Sequence, residues 1–212
     1  SYPHEILHNW WGNGVFVDYE KGNWCEGLTT YMADHYLQEM RGQGASYRQT
    51  ALQNYRNYVD EQGEFALRDF TSGHGAEGRA IGYGKAMMFF HMLKVRFGKD
   101  LFLQSLQDFY QNRRYKRSTY EDILSSFEHV TGKNLTPMFR QWVDRVGAPE
   151  VKIQRAAKKM DGQGHDNFAA IVLKLAQVQN EASYELLVPV EVEDASGHVV
   201  FYRLLRLTGR EQ

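Results

Sequence analysis

A single cysteine, Cys25, stands among 212 residues, so no internal disulfide can staple the chain and cysteine usage leaves the redox compartment open. No apolar run approaches the roughly eighteen residues that a membrane-spanning helix needs. Neither sign of charge is in surplus. The 25 Lys and Arg face 26 Asp and Glu, divided 17 and 17 over Ser1–Gly147 and 8 and 9 over Ala148–Gln212, which leaves no basic lobe for nucleic acid. No secretory leader is readable in this stretch, and any targeting segment is expected in a missing part of a longer protein, so localisation is not legible. What is present is ordinary for a globular protein, 42% hydrophobic and 24% charged, in a chain long enough to bury a substantial core.

The informative stretch is His4-Glu5-Ile6-Leu7-His8. Two histidines four apart lie one above the other on a helix and can share one metal ion. Zinc takes imidazole nitrogens and carboxylate oxygens, and a catalytic site needs a third protein ligand and an open position. Glu5, beside the first histidine, suits the general base that removes a proton from a metal-activated water.

The next residues, Trp10-Trp11-Gly12-Asn13 and then Trp24-Cys25-Glu26-Gly27, complete a pattern that resembles the gluzincin aminopeptidases, the family of membrane alanyl aminopeptidase and leukotriene hydrolase. The resemblance implies Glu26 as the third zinc ligand. One departure stands: seventeen residues separate His8 from Glu26, one fewer than is usual in the family, and a loop can absorb such a change. Read without the family, Asn23 followed by Glu26 is a helix-start signal of the capping-box kind. Gly82-Tyr83-Gly84-Lys85-Ala86 is similar to the family's tyrosine segment, which implies that Tyr83 supports the oxyanion of the attacked carbonyl. Without it, Tyr83 heads an apolar helical stripe and reads as core. The same core or surface reading is given to His35, His74, His91 and His129, and Cys25 reads as a small buried hydrophobe.

Periodicity and punctuation divide the rest. The first helix is expected to run to about Trp11 and, with apolar pairs on nearly every face, to be buried. Further helices are expected over Trp24–Arg41, Tyr47–Asp60, from Gly82 through Val95, over Asp100–Tyr110, over Tyr120–Val130 behind a Ser118–Glu121 capping box, and over Asn134–Arg145. Residues 62–81 read as an irregular stretch beside the cleft. The cationic run Arg113–Arg117 reads as a solvated connector. From Pro149 the period becomes two, giving about four strands with a turn at Asp194–Gly197.

The fold class is therefore α+β. Residues 1–147 form a mainly helical domain, thermolysin-like and zinc-binding by the resemblance, and 148–212 a partial antiparallel β-sandwich. The function implied is that of a zinc metallopeptidase with one zinc ion per chain, acting as an aminopeptidase on peptide substrates. His4, His8 and Glu26 hold the metal; Glu5 and Tyr83 are catalytic. An epoxide-opening hydrolase and a non-catalytic zinc-containing scaffold are the other readings. The chain reads as a piece of a longer protein whose missing N-terminal domain grips the substrate's amino terminus. Weak activity and self-association of the piece are expected.

Overall fold

The computed structural model describes residues 1–60, 62–160 and 168–210, and the chain divides into two units, Ser1–Gly147 and Ala148–Gln212. In the first unit the elements run α1 (Tyr2–Leu7), β1 (Phe16–Val17), α2 (Cys25–Thr29), α3 (Tyr36–Met40), α4 (Gly44–Tyr58), α5 (Gly75–Arg79), α6 (Ala86–Arg113), β2 (Arg117–Ser118), α7 (Tyr120–Thr131) and α8 (Thr136–Phe139). Three wide, π-helical turns interrupt the regular coil. Thr30–His35 joins α2 to α3, Ala80–Lys85 joins α5 to α6, and Arg140–Asp144 extends α8.

The core is aromatic. Trp24 is fully buried, lies edge-on to Phe109 and donates its indole N–H to the Ser118 carbonyl at 2.8 Å. Trp11 stacks on Phe109, with ring centroids 6.0 Å apart, and also meets Trp24 edge-on. Phe89, Phe90, Phe102, Tyr120 and Phe127 continue the buried set, and such rings supply large apolar areas with preferred edge-to-face geometry. Gly27 lets α2 lie directly on α6, because a side-chain carbon there would come 2.2 Å from the Ala86 Cβ.

Three expectations are corrected. The first helix stops at Leu7, since the chain reverses through Gly12 at φ 111° and Val15 returns its N–H to the Trp10 carbonyl at 2.8 Å. It is also largely exposed, with Tyr2 at 79% and Ile6 at 42%, and Trp10 just beyond it is exposed too; of its residues only His4 is buried. The cap of α7 is Thr119, not Ser118: Thr119 Oγ1 accepts from the Glu121 N–H, and Asp122 Oδ2 accepts from the Thr119 N–H at 2.9 Å. Ser118 is occupied in β2, which pairs in parallel with β1. Gly132, at φ 64°, closes α7 as expected. The irregular stretch contains α5, and Gly98, at φ 78°, breaks α6 where the two expected helices meet.

In the second unit, β3 (Val151–Met160) pairs antiparallel with β4 (Phe168–Gln177), and β5 (Leu186–Glu193) with β6 (Val199–Leu207). Asp194 shapes the second hairpin by accepting from the N–H groups of Ser196 and His198. Buried Gln177 ties the hairpins together, accepting from the Tyr184 N–H and donating to the carbonyls of Tyr184 and Gly209. The chain is α+β.

Candidate active site

Pro3 opens α1, where a missing N–H costs nothing, and the helix sets His4 and His8 side by side with ring centroids 4.8 Å apart. Each ring is fixed through Nδ1. His4 Nδ1 lies 2.7 Å from Asp34 Oδ2, and His8 Nδ1 lies 2.9 Å from the Trp11 carbonyl oxygen. A carbonyl oxygen can only accept, so His8 carries a proton on Nδ1, and Nε2 is the nitrogen that offers a lone pair once the ring is neutral, the form in which it binds a metal. Asp34 does the same for His4. Both Nε2 atoms then face one oxygen, Glu26 Oε2, at 3.2 Å from His4 and 3.6 Å from His8. One ligand atom from each of His4, His8 and Glu26 can be chosen so that all lie within 4.8 Å of one another.

The three groups hold one another charged. Burial opposes ionisation of His4, but Asp34 and Glu26 outweigh it and push its pKa up to about 9. His8 is pushed up to about 10, by contact with Cys25 and then with Glu26. Glu26 is drawn down to about 2, because the two histidines overcome the penalty of burial. Glu26 is not bonded to Asn23; that residue caps the helix by accepting from the Cys25 N–H at 3.2 Å. Cys25 lies behind His8, its Sγ 3.5 Å from Nδ1, and burial raises its thiol pKa.

Glu5 lies exposed in the same cleft and has no side-chain hydrogen bond or ion pair among the described residues. Tyr83, on the wide turn Ala80–Lys85, stacks loosely over His4 with centroids 6.2 Å apart. Burial and then the Glu26 charge raise its phenol pKa, so it remains a hydrogen-bond donor. Gly73 packs against the ring: a side-chain carbon there would sit 2.8 Å from Tyr83 Cε2. The cleft, about 670 Å³, is bounded opposite the ligands by Tyr47, Thr50, Asn54 and Tyr58 of α4. All five residues expected at the site line this one cleft. The residue that sequence reasoning missed is Asp34, although Glu26, Thr30 and Asp34 recur every four positions.

His35, His74, His91 and His129 do not line the cleft. His35 Nε2 lies 2.8 Å from Arg48 Nη1, and His91 Nδ1 lies 3.3 Å from the Tyr31 hydroxyl; burial and then Arg48 push both pKa values down to about 4. His129 pairs with Asp108, and His74 is exposed in the loop before α5. Arg113 is more than a connector: it donates to Ser118 Oγ and pairs with Asp122.

The Peptidase family M1 domain matches residues 3–142. Mitochondrial aminopeptidase 2 of Saccharomyces cerevisiae is 24% identical over 180 residues, covering 78% of this chain and 18% of the relative. Aminopeptidase M1 of Arabidopsis thaliana is 26% identical over 168 residues, covering 76% and 18%. The chain thus spans about a fifth of the length of these relatives. Among solved structures, Legionella pneumophila aminopeptidase A in complex with aspartic acid aligns over 99% of this chain and 23% of its own, with a TM-score of 0.69 and 23% identity. An M1 zinc metallopeptidase of Deinococcus radiodurans aligns over 69% and 33%, with a TM-score of 0.56 and 21% identity. These two likenesses establish the fold. No helix among the described residues is long and apolar enough to cross a membrane.

Proposed function

The chain belongs to peptidase family M1, and from that membership we propose that it supplies the metal-binding and proton-moving part of a zinc-dependent aminopeptidase acting on peptides. The observation that carries this reading is the convergence of both histidine Nε2 atoms on Glu26 Oε2. The donor set fits zinc: two imidazoles and one carboxylate are a known hydrolytic combination, and each imidazole has its outer partner. The negative field that draws protons onto His4 and His8 would equally favour a divalent cation between them. When bound, zinc supplies Lewis acidity, lowering the pKa of water and polarising the substrate carbonyl.

The remaining work falls to this chain's own groups. Glu5, unpaired and in the cleft, takes the proton from the attacking water and returns it to the leaving amine. Tyr83, kept protonated, donates a hydrogen bond to the carbonyl oxygen as negative charge develops there. Asp34 and the Trp11 carbonyl hold the two imidazoles in one orientation. No feature of the cleft favours an epoxide-opening or a purely scaffolding role.

Metal analysis of the purified chain is expected to give about one zinc per chain, lost in His8→Ala and Glu26→Ala. Retention of the ion in both variants would remove the ligand assignment. Glu5→Gln should keep the ion, and in the whole protein should abolish peptide hydrolysis, because an amide cannot accept the proton.

A further inference from the structure

The cleft contains a cationic side chain that the chemistry above does not use. Arg79 ends α5, one helical turn before Tyr83, and is the only Lys or Arg among the described residues lining the cleft. Its guanidinium makes no hydrogen bond or ion pair among the described residues. Other arginines here are engaged: Arg68 binds Asp144, Arg113 binds Asp122, and Arg206 binds Glu185. The carboxylates that share the cleft do not serve Arg79 either. Glu26 and Asp34 face the histidines, and the nearby Glu77 lies against Gly63. An unpaired cation in a substrate cleft is a ready partner for an anion, and guanidinium grips a carboxylate through two parallel hydrogen bonds.

Its stem is also held. A side-chain carbon on Gly73 would lie 3.4 Å from Arg79 Cγ as well as 2.8 Å from Tyr83 Cε2, so one loop backs both residues and fixes their spacing. The α4 wall adds no competing charge, since Tyr47, Thr50, Asn54 and Tyr58 are neutral. Apart from the metal-binding histidines, Arg79 is the one cationic side chain among the described lining residues that a carboxylate entering the cleft can meet.

Building on the peptidase reading, we infer that Arg79 binds a carboxylate of the peptide substrate and so sets a preference for short or acidic peptides. Two sources offer that group: the C-terminal carboxylate of a short peptide and an acidic side chain. Both present the same two oxygens to the guanidinium.

The test uses the zinc-loaded chain carrying Glu5→Gln, so that bound peptides are not cut, and calorimetric or NMR titration with three probes. These are tri-alanine as the free acid, tri-alanine amide, and Ala-Glu-Ala amide. With Arg79 in place the free acid should bind roughly fivefold more tightly than the amide, the worth of one exposed charge pair. The Glu-containing amide shows whether a side-chain carboxylate substitutes. In Arg79→Gln the advantage of either carboxylate should fall to about one while affinity for tri-alanine amide stays the same, and that unchanged affinity excludes simple misfolding. Arg79→Lys should keep part of the advantage. Equal binding of all three probes with Arg79 present would overturn the inference, as would an advantage that survives in Arg79→Gln. Zinc retained with no peptide bound would instead bring down the peptide-cleft reading, and this one with it.

Discussion

Asp34 offers the sharpest test of how the chain prepares its histidines. Asp34→Ala removes the acceptor 2.7 Å from His4 Nδ1 and leaves a ring that is only 7% exposed with an N–H and no partner. A buried donor left unsatisfied costs about 1–3 kcal/mol, and the ring can recover that only by turning, which takes Nε2 away from Glu26. Loss of such an outer partner typically weakens metal binding roughly 10- to 100-fold, or about 1.4–2.7 kcal/mol. Asp34→Asn keeps an oxygen that can accept but gives up the charge, so it should fall between the alanine variant and the parent. Ser1, whose Oγ donates to the other Asp34 oxygen, is exposed and should matter less. The assay is competition for zinc against a chromophoric chelator at one pH and ionic strength, with thermal unfolding of the metal-free proteins as the fold control. An alanine variant within about twofold of the parent would refute the orienting role of Asp34.

Two further outcomes concern the scaffold. Buried Lys85 donates to the carbonyls of Gly147 at 2.8 Å and Arg145 at 3.4 Å, and burial pushes its pKa down to about 8; Lys85→Met should lower stability by about 1–2 kcal/mol in denaturant titration, and an unchanged midpoint would show that those carbonyls find other partners. His35 and His91, surrounded by Tyr31, Tyr47, Glu39, Arg48 and Lys94, have pKa values near 4 in the fold against an ordinary 6.5. The unfolded chain therefore binds more protons between those values, so stability is kept above about 6.5 and lost as pH falls toward 4. Replacing His91 with Leu should flatten that acid slope, and a slope identical to the parent's would exclude His91 as a source.

The sequence was most legible where period and punctuation agree. The alternation in β5 and the turn residues Asp194–Gly197 give the second hairpin, and Gly132 ends α7 in the left-handed conformation. Legibility failed at α1 for a tertiary reason. The i, i+4 pairs Ile6–Trp10 and Leu7–Trp11 continue the helical pattern beyond Leu7, yet the chain turns back there because Trp11 pairs with Val15 and packs against Trp24 and Phe109. The same pattern counted apolar residues without knowing which face meets the core, so it made Ile6 and Trp10 buried when both are exposed. At α7, Ser118 and Thr119 are chemically equivalent caps, and only the pairing of β2 with β1 decides between them.

Asp34 escaped for a reason that lies in the helix itself. In a regular α-helix a residue eight positions after Glu26 stands about 80° away around the axis, too far to serve the same histidine from one face. Asp34 itself lies in the wide turn Thr30–His35, where bonds that reach one residue further turn the chain less per residue. That removes most of the offset, so Glu26 meets His4 at Nε2 while Asp34 meets it at Nδ1. One imidazole is thereby gripped from both nitrogens by a single continuous helix. The second wide turn, Ala80–Lys85, carries Tyr83 to the same ring. Local departures from the 3.6-residue period, which pattern reading treats as noise, are what bring this site together.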